Sequence, residues 1–375
     1  VLDLLLFYVF FDLSLVGMFF LIGRWGHGEA KAAALKFFLY TFVGSLAILL
    51  AIIALVLAGD GPLTFDMRVL IAHHAFGAVA GGWAAGLTLL GFVIGFAIKT
   101  PLFPVHTWLP PAHVNAPAPA SAILAGVMLK MGTYGLIRIP LSMMPETFAR
   151  YAPILGVFAL ASILWGAFVA LGQRDIKRRI AYTSVNHMGY AVLGIAAAGS
   201  LFPGADGTRQ LALTGAVVEM VAHGLITGAL FLMTGVFWQR ARTYEMDAYG
   251  GLAGVAPKLT GAFILAAFAS LGLPGLAGFV AEFQIFAGTF AVYPWLAALG
   301  LIGILITAAL FLTMVQRVFF GEVSEDKRSF TDLRPAEYAI LGVLLALVVV
   351  IGVYPRWLLA PIMTAAAAIT GGPLG

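Results

Sequence analysis

The chain has 375 residues, 62% of them hydrophobic and only 10% charged, with 44 glycines, 18 prolines and a mean hydropathy of +1.01. Globular domains carry about a quarter charged residues, so this composition excludes a soluble fold and indicates an all-α integral membrane protein whose helices pack closely and are broken in places. There is no cysteine, which excludes disulfides and cysteine-ligated iron–sulfur or zinc sites in these residues; the formal charge of +4 follows from membrane orientation, below, rather than from nucleic-acid binding.

The first residue, Val1, already lies in an apolar run, which reads as a copy lacking N-terminal helices rather than as a signal peptide. A spanning helix needs about twenty mostly apolar residues. Ten segments qualify, near 1–23, 34–58, 77–98, 114–139, 150–171, 178–198, 211–237, 259–290 (broken), 296–316 and 336–354. The closing stretch RWLLAPIMTAAAAIT is expected to form an amphipathic or interfacial tail.

Loop charge tests this count independently, because cytoplasmic loops carry the excess of Lys and Arg. The loops around 24–36, 174–179, 240–258 and 317–334 hold fourteen of these residues, and the alternate loops hold five. The first set is therefore expected on the cytoplasmic side. On this reading QRDIKRR, residues 173–179, is a topology signal and not a nucleic-acid patch.

Two basic residues are left over, Lys99 and Lys130. A lysine at the centre of a membrane helix costs roughly 2.5–3.5 kcal/mol, so such groups are functional candidates by default. Lys99 ends an apolar run, which leaves snorkelling to an interface as its alternative. Lys130 sits mid-segment in ASAILAGVMLKMGTYGLIRIP, where neither surface is within easy reach.

Immediately after Lys99, the prolines of KTPLFPVHTWLPP prevent a continuous helix and free backbone groups at membrane depth. Such backbone survives only inside protein or along a water-filled cavity. GLPGLAG, residues 272–278, breaks the eighth segment in the same way, and Glu282 follows. Paired broken helices point to inverted repeats with an ion path at their interface. The expected division is a first repeat over 1–140 with its break near 99–110, a second over 141–335 with its break near 272–282, and a final helix and tail over 336–375.

The other intramembrane ionisable groups are few. Asp12 stands in LLLFYVFFDLSLVGMFFLIG with no basic residue in the same segment to neutralise it; a protonated, hydrogen-bonded acid is the alternative. His187 and His223 belong to the residue type that titrates near neutrality, with a neutral core histidine as the competing reading. Glu219 lies four residues before His223, on the same helical face, so a local pair is expected. His73 and His74 fall between segments and read as interfacial, not as a metal site. His106 and His113 bracket TWLPPA and read as water-lined positions, since no third zinc ligand is identifiable.

The stretches AIKTPLFPVHTWLPPAHVNAPAPASAILAGVMLKMGTYGLIR, KRRIAYTSVNHMGY, VAHGLITGALF and LGLPGLAGFVAEF closely resemble the antiporter-like membrane subunits of respiratory complex I, the NADH:quinone oxidoreductase. AYTSVNHMGY together with GFVAEF is most similar to the M-type subunit, subunit 4 of mitochondria. The resemblance covers essentially the whole chain and begins at the family's fifth helix. It implies proton translocation coupled to quinone reduction in partner subunits. Asp12 falls where the family usually has a glutamate paired with the first lysine, Lys99 on that lysine, and Lys130 on the central relay lysine. His187 and His223 match histidines of the connecting polar axis, and Glu282 matches the distal acid. Aspartate in place of glutamate shortens the reach by one methylene, and Gly17 stands where a proline is frequent nearby. His106, His113 and Glu219 are left as modulators, Glu219 without a family role.

At about 8 Å and an effective dielectric near 20, Asp12 favours a charged Lys99 by roughly 2 kcal/mol, so their separation is expected to act as a switch that releases a proton towards Lys130. No nucleotide-binding loop or redox-ligand set is evident in the chain. The resemblance therefore implies NADH, FMN, iron–sulfur clusters and quinone in partner subunits, neighbouring antiporter-like subunits and the lipid bilayer as partners, and a bacterial cytoplasmic (inner) membrane as location. A multisubunit cation/proton antiporter subunit is the alternative; a passive scaffold is a third, and the expense of Lys130 argues against it.

Overall fold

The computed structural model describes residues 1–58, 63–73, 76, 82–202, 204–323 and 325–371. Its architecture is all-helical, and the described residues contain only two isolated backbone bridges of β type, Asp3 with Asp66 and Asp175 with Glu245. Seven helices are long and apolar enough to cross a membrane. They are α1 (Leu4–Trp25), α2 (Ala30–Leu57), α6 (Ala118–Leu141), α7 (Pro145–Leu171), α9 (Asp206–Ala241), α12 (Pro294–Phe319) and α13 (Pro335–Val353). Between and after them come α3 (Met67–His73), α4 (Trp83–Lys99), α5 (Leu109–Asn115), α8 (Ile176–Ala198), α10 (Pro257–Ser270), α11 (Ala277–Val292) and α14 (Arg356–Thr370). His74 and the side chain of His73 lie outside the described residues, as do 77–81 of the third expected segment.

Local chemistry sets the helix ends. Asp3 and Asp175 cap α1 and α8 by accepting from the backbone N–H of Leu6 (2.9 Å) and Arg178 (2.6 Å), satisfying donors that have no intrahelical partner. Proline opens α7, α10, α12 and α13, where its missing N–H costs nothing.

Both interruptions fall at the expected prolines. α4 stops at Lys99, the chain turns through 100–108, and α5 resumes at Leu109. The turn is held by Phe103 N–H donating to Ser162 Oγ at 2.8 Å and by the Trp108 indole donating to the Ile98 carbonyl at 2.9 Å. The second break, 271–276, separates α10 from α11.

α8 is the helix that hydropathy describes least well. It carries Lys177, Arg178, Arg179, Asn186 and His187, yet nearly all its residues are buried, packed between α7 and α9 with α11 and α12 beside them. Its surroundings are protein, so its polar groups meet partners instead of lipid. The tail also finds protein: α14 packs on α9, with Gln210 Nε2 donating to the Met363 carbonyl (3.1 Å) and Arg209 Nη1 to that of Thr370 (3.2 Å).

Candidate functional site

Lys99 is the last residue of α4, where a cation complements the carbonyl end of the helix dipole. Its side chain is 1% exposed. It does not snorkel: Nζ donates to Ser14 Oγ of α1 at 3.2 Å and lies 4.8 Å from the centroid of the Phe11 ring. Asp12 is in the same turn of α1, but no ion pair within 4 Å joins it to Lys99, and its buried Oδ1 has no hydrogen-bond partner. Serine, which sequence reading passed over, thus occupies the place expected for the carboxylate.

Lys130 sits in the middle of α6, just after a π-helical turn over Leu124–Met128. Such a turn disturbs the regular backbone bonding, and the lysine uses a carbonyl within it, donating from Nζ to Ala125 O. On its other side Nζ stands 2.6 Å from His223 Nδ1 of α9. The two helices approach at Gly126 and Gly224, where a Cβ on Gly224 would lie 2.8 Å from the Gly126 carbonyl oxygen. Small residues let membrane helices come this close.

His223 is followed by His187 of α8, with ring centroids 5.7 Å apart. His187 Nδ1 is 3.3 Å from Glu219 Oε1 and 3.8 Å from Glu282 Oε1, while its Nε2 meets Ser270 Oγ at 3.0 Å. Ser270 is the final residue of α10 and Glu282 belongs to the second turn of α11, so the second break brings a hydroxyl and a carboxylate to one imidazole. Gly272 makes room for this: its φ is +77°, and a Cβ there would collide with Glu282 Oε2.

The structure therefore gathers Lys130, His223, His187, Glu219 and Glu282 into one buried run, with Lys99 and Asp12 in a separate group on α1 and α4. Glu219 does not pair with His223 as its i, i+4 spacing led us to expect; packing of α9 on α8 turns it to His187. His106 is 4% exposed, with Nδ1 unpartnered and its ring near Phe103 and Tyr182. His113 is fully buried and stacks on Phe231, centroids 4.3 Å apart, with neither ring nitrogen hydrogen-bonded. Its ring face is against an aromatic side chain, not in an open water-lined position.

Sequence reading missed the burial of two cations from QRDIKRR. Lys177 is fully buried, donating to the Ala116 carbonyl at 2.5 Å and lying 5.2 Å from the Tyr244 ring centroid. Arg179 is 3% exposed and donates to the carbonyls of Leu171, Gln173 and Leu310 and to Thr313 Oγ1. The available signal was helical: three consecutive cations point in directions about 100° apart, so they cannot share one wet face.

Residues 2–307 match the family model described as NADH:quinone oxidoreductase/Mrp antiporter, transmembrane. NADH-quinone oxidoreductase subunit M of Rhodobacter capsulatus is 42% identical over 363 residues, which are 94% of this chain and 68% of that protein. NAD(P)H-quinone oxidoreductase chain 4 1 of a Picosynechococcus species is 41% identical over 367 residues, 94% of this chain and 65% of that one. The chain thus spans about two thirds of the length of these relatives. Among solved structures, a chain of respiratory complex I from Thermus thermophilus superposes with a TM-score of 0.89 at 35% identity, covering 99% of this chain and 76% of the other. A chain of the Mrp complex from a Dietzia species shares the fold, with a TM-score of 0.86 at 22% identity over 100% of this chain and 76% of that one. With most of its length matched by the family model and its M-type relatives at about 40% identity, the chain belongs to the NADH:quinone oxidoreductase/Mrp antiporter family of membrane subunits.

Proposed function

We propose that this chain is a proton-translocating M-type subunit of a quinone-reducing oxidoreductase, carrying protons laterally through Lys130, His223, His187 and Glu282. The observation that carries this reading is the succession of those side chains: an ammonium against an imidazole at 2.6 Å, a second imidazole with its ring centroid 5.7 Å from the first, and two carboxylates around the second ring. His223 Nε2 has no side-chain partner, so the step between the two imidazoles needs a bridging water. Lys130 passes a proton to His223 Nδ1, intervening water takes the proton released from His223 Nε2 across the α8–α9 contact, and Glu219 and Glu282 receive it beside His187. Residue types that exchange protons near neutral pH are the ones such a relay needs.

Lys99 and Asp12 form the control element of this proposal. While Lys99 is held by Ser14, the Asp12 carboxylate is engaged by the Tyr8 hydroxyl of its own helix and not by the lysine; drawing Asp12 onto Lys99 retains its proton, and drawing it away sends the proton towards Lys130. The two breaks are the cores of inverted repeats over 1–140 and 141–335, with 336–375 completing ten crossings. NADH, FMN, iron–sulfur clusters and quinone belong to partner subunits, so redox catalysis occurs outside this chain. Neighbouring antiporter-like subunits flank it in a bacterial cytoplasmic membrane.

The test uses the intact assembly in sealed vesicles, following quinone-coupled NADH oxidation and proton uptake in native protein and in Lys130→Ala. Joint loss supports an obligatory path through Lys130; unchanged oxidation and uptake refute it. Sodium-dependent proton exchange without quinone coupling would favour an antiporter subunit.

A further inference from the structure

We propose that the groove between α4 and α7 is a binding site for one anionic glycerophospholipid, its phosphate at Arg150 and an acyl chain reaching the break after Lys99. The two helices run side by side, with Gly86 next to Tyr151 at one end and Phe103 bonded to Ser162 towards the other. Between them lies a cavity of about 680 Å³, within the range of small-molecule sites. Leu87, Leu90 and Ile94 of α4 and Ile154 and Phe158 of α7 form its walls and are themselves substantially exposed.

Three features select a lipid. From Gly86 to Ala97 the groove follows α4 for about 16 Å, roughly one leaflet of a ~30 Å hydrocarbon core. Its walls are large, flexible aliphatic and aromatic side chains, whereas packed membrane helices meet through small residues; an acyl chain conforms to such walls better than a helix does. At one end stand Trp83, 81% exposed, and Tyr151 with the exposed Arg150 guanidinium 6.0 Å from its ring centroid. Aromatic residues and a cation together mark headgroup level, and the cation complements a phosphate with net negative charge. The opposite end is closed by Leu102, Phe103 and Pro104, so the tail of the bound lipid abuts the break.

The assembled complex, with Ile94 replaced by a benzophenone-bearing phenylalanine, is reconstituted into vesicles of equimolar phosphatidylglycerol and phosphatidylethanolamine, illuminated, and analysed for adduct mass. Phosphatidylglycerol adducts are expected to exceed phosphatidylethanolamine adducts about fivefold, the preference one basic residue at a membrane surface confers. Arg150→Gln is expected to bring the ratio near one, and Leu90→Trp, which fills the groove, to lower both yields. Equal yields in the native protein, a ratio unmoved by Arg150→Gln, yields unmoved by Leu90→Trp, or an adduct to a protein segment would each overturn the proposal.

Discussion

Lys130 Nζ and His223 Nδ1 face each other at 2.6 Å across α6 and α9, although 93 positions separate them in the chain. If the pair acts as one proton-transfer unit, its two members contribute through each other. Lys130→Met and His223→Phe are each expected to slow proton uptake by roughly 10²-fold, the scale of a lost acid–base group, and the double variant to be little worse than either single one. Uptake rates for all three variants check this; losses that multiply would mean two independent functions.

Gly272 and Gly275 allow backbone strain to be separated from displacement of a catalytic-type carboxylate. Both have positive φ, +77° and +92°, but only a Cβ at Gly272 meets Glu282, whereas Gly275 has nothing within 4 Å. Alanine at either position is expected to cost about 1–2 kcal/mol from the left-handed conformation. Only Gly272→Ala is expected to slow proton uptake by more than its stability loss explains. Thermal unfolding and uptake measured on the two variants side by side distinguish the effects.

Arg179 predicts the opposite pattern. Its guanidinium satisfies three carbonyls and a hydroxyl at the end of α8, far along the helix from His187. Arg179→Leu removes the guanidinium donors from the Leu171 and Gln173 carbonyls, while Leu310 O keeps the Thr313 hydroxyl, and is expected to destabilise the subunit by roughly 3 kcal/mol. Lower Tm and reduced assembly are the expected readouts, with an unchanged pH–rate profile in the complexes that do assemble.

His27, in the turn between α1 and α2, supplies a pH dependence. Burial, aided by the nearby Lys177 charge, lowers its pKa from 6.5 to about 4, and its ring stacks on Trp238 at 4.2 Å between centroids. Between those two pH values the unfolded chain binds a proton there that the folded chain does not, so stability falls as pH drops from about 6.5 towards 4. His27→Phe keeps the stack and removes the titration. The Tm difference between about pH 7 and pH 5 is expected to shrink in this variant.

How much of this was legible in the sequence depended on whether one segment held the answer. Proline placed both breaks, and hydropathy isolated Lys99 and Lys130, because each of these signals is local. The partner of Glu219 was not local: helical spacing puts it on the face of His223, but the packing of α8 turned its carboxylate to His187. Ser14 gave no sign at all, since a serine in an apolar helix is common and its meeting with Lys99 spans 85 positions. Burial of Lys177 and Arg179 was hidden by loop-charge counting, which assumes that a basic run at a helix end is wet.

The crossing of α6 and α9 at Gly126 and Gly224 has a wider bearing. The reach of a proton hop is a matter of tenths of an ångström, and in the proposed relay the gap between Lys130 and His223 depends on a glycine contact that carries no ionisable group. Any larger residue at 224 would meet the Gly126 carbonyl, wedge the helices apart and lengthen the gap between Lys130 and His223 while leaving both chemically intact. The ruler of the proposed relay is written in a missing side chain, and a variant at Gly224 is expected to be a conduction defect with every proposed proton carrier still in place.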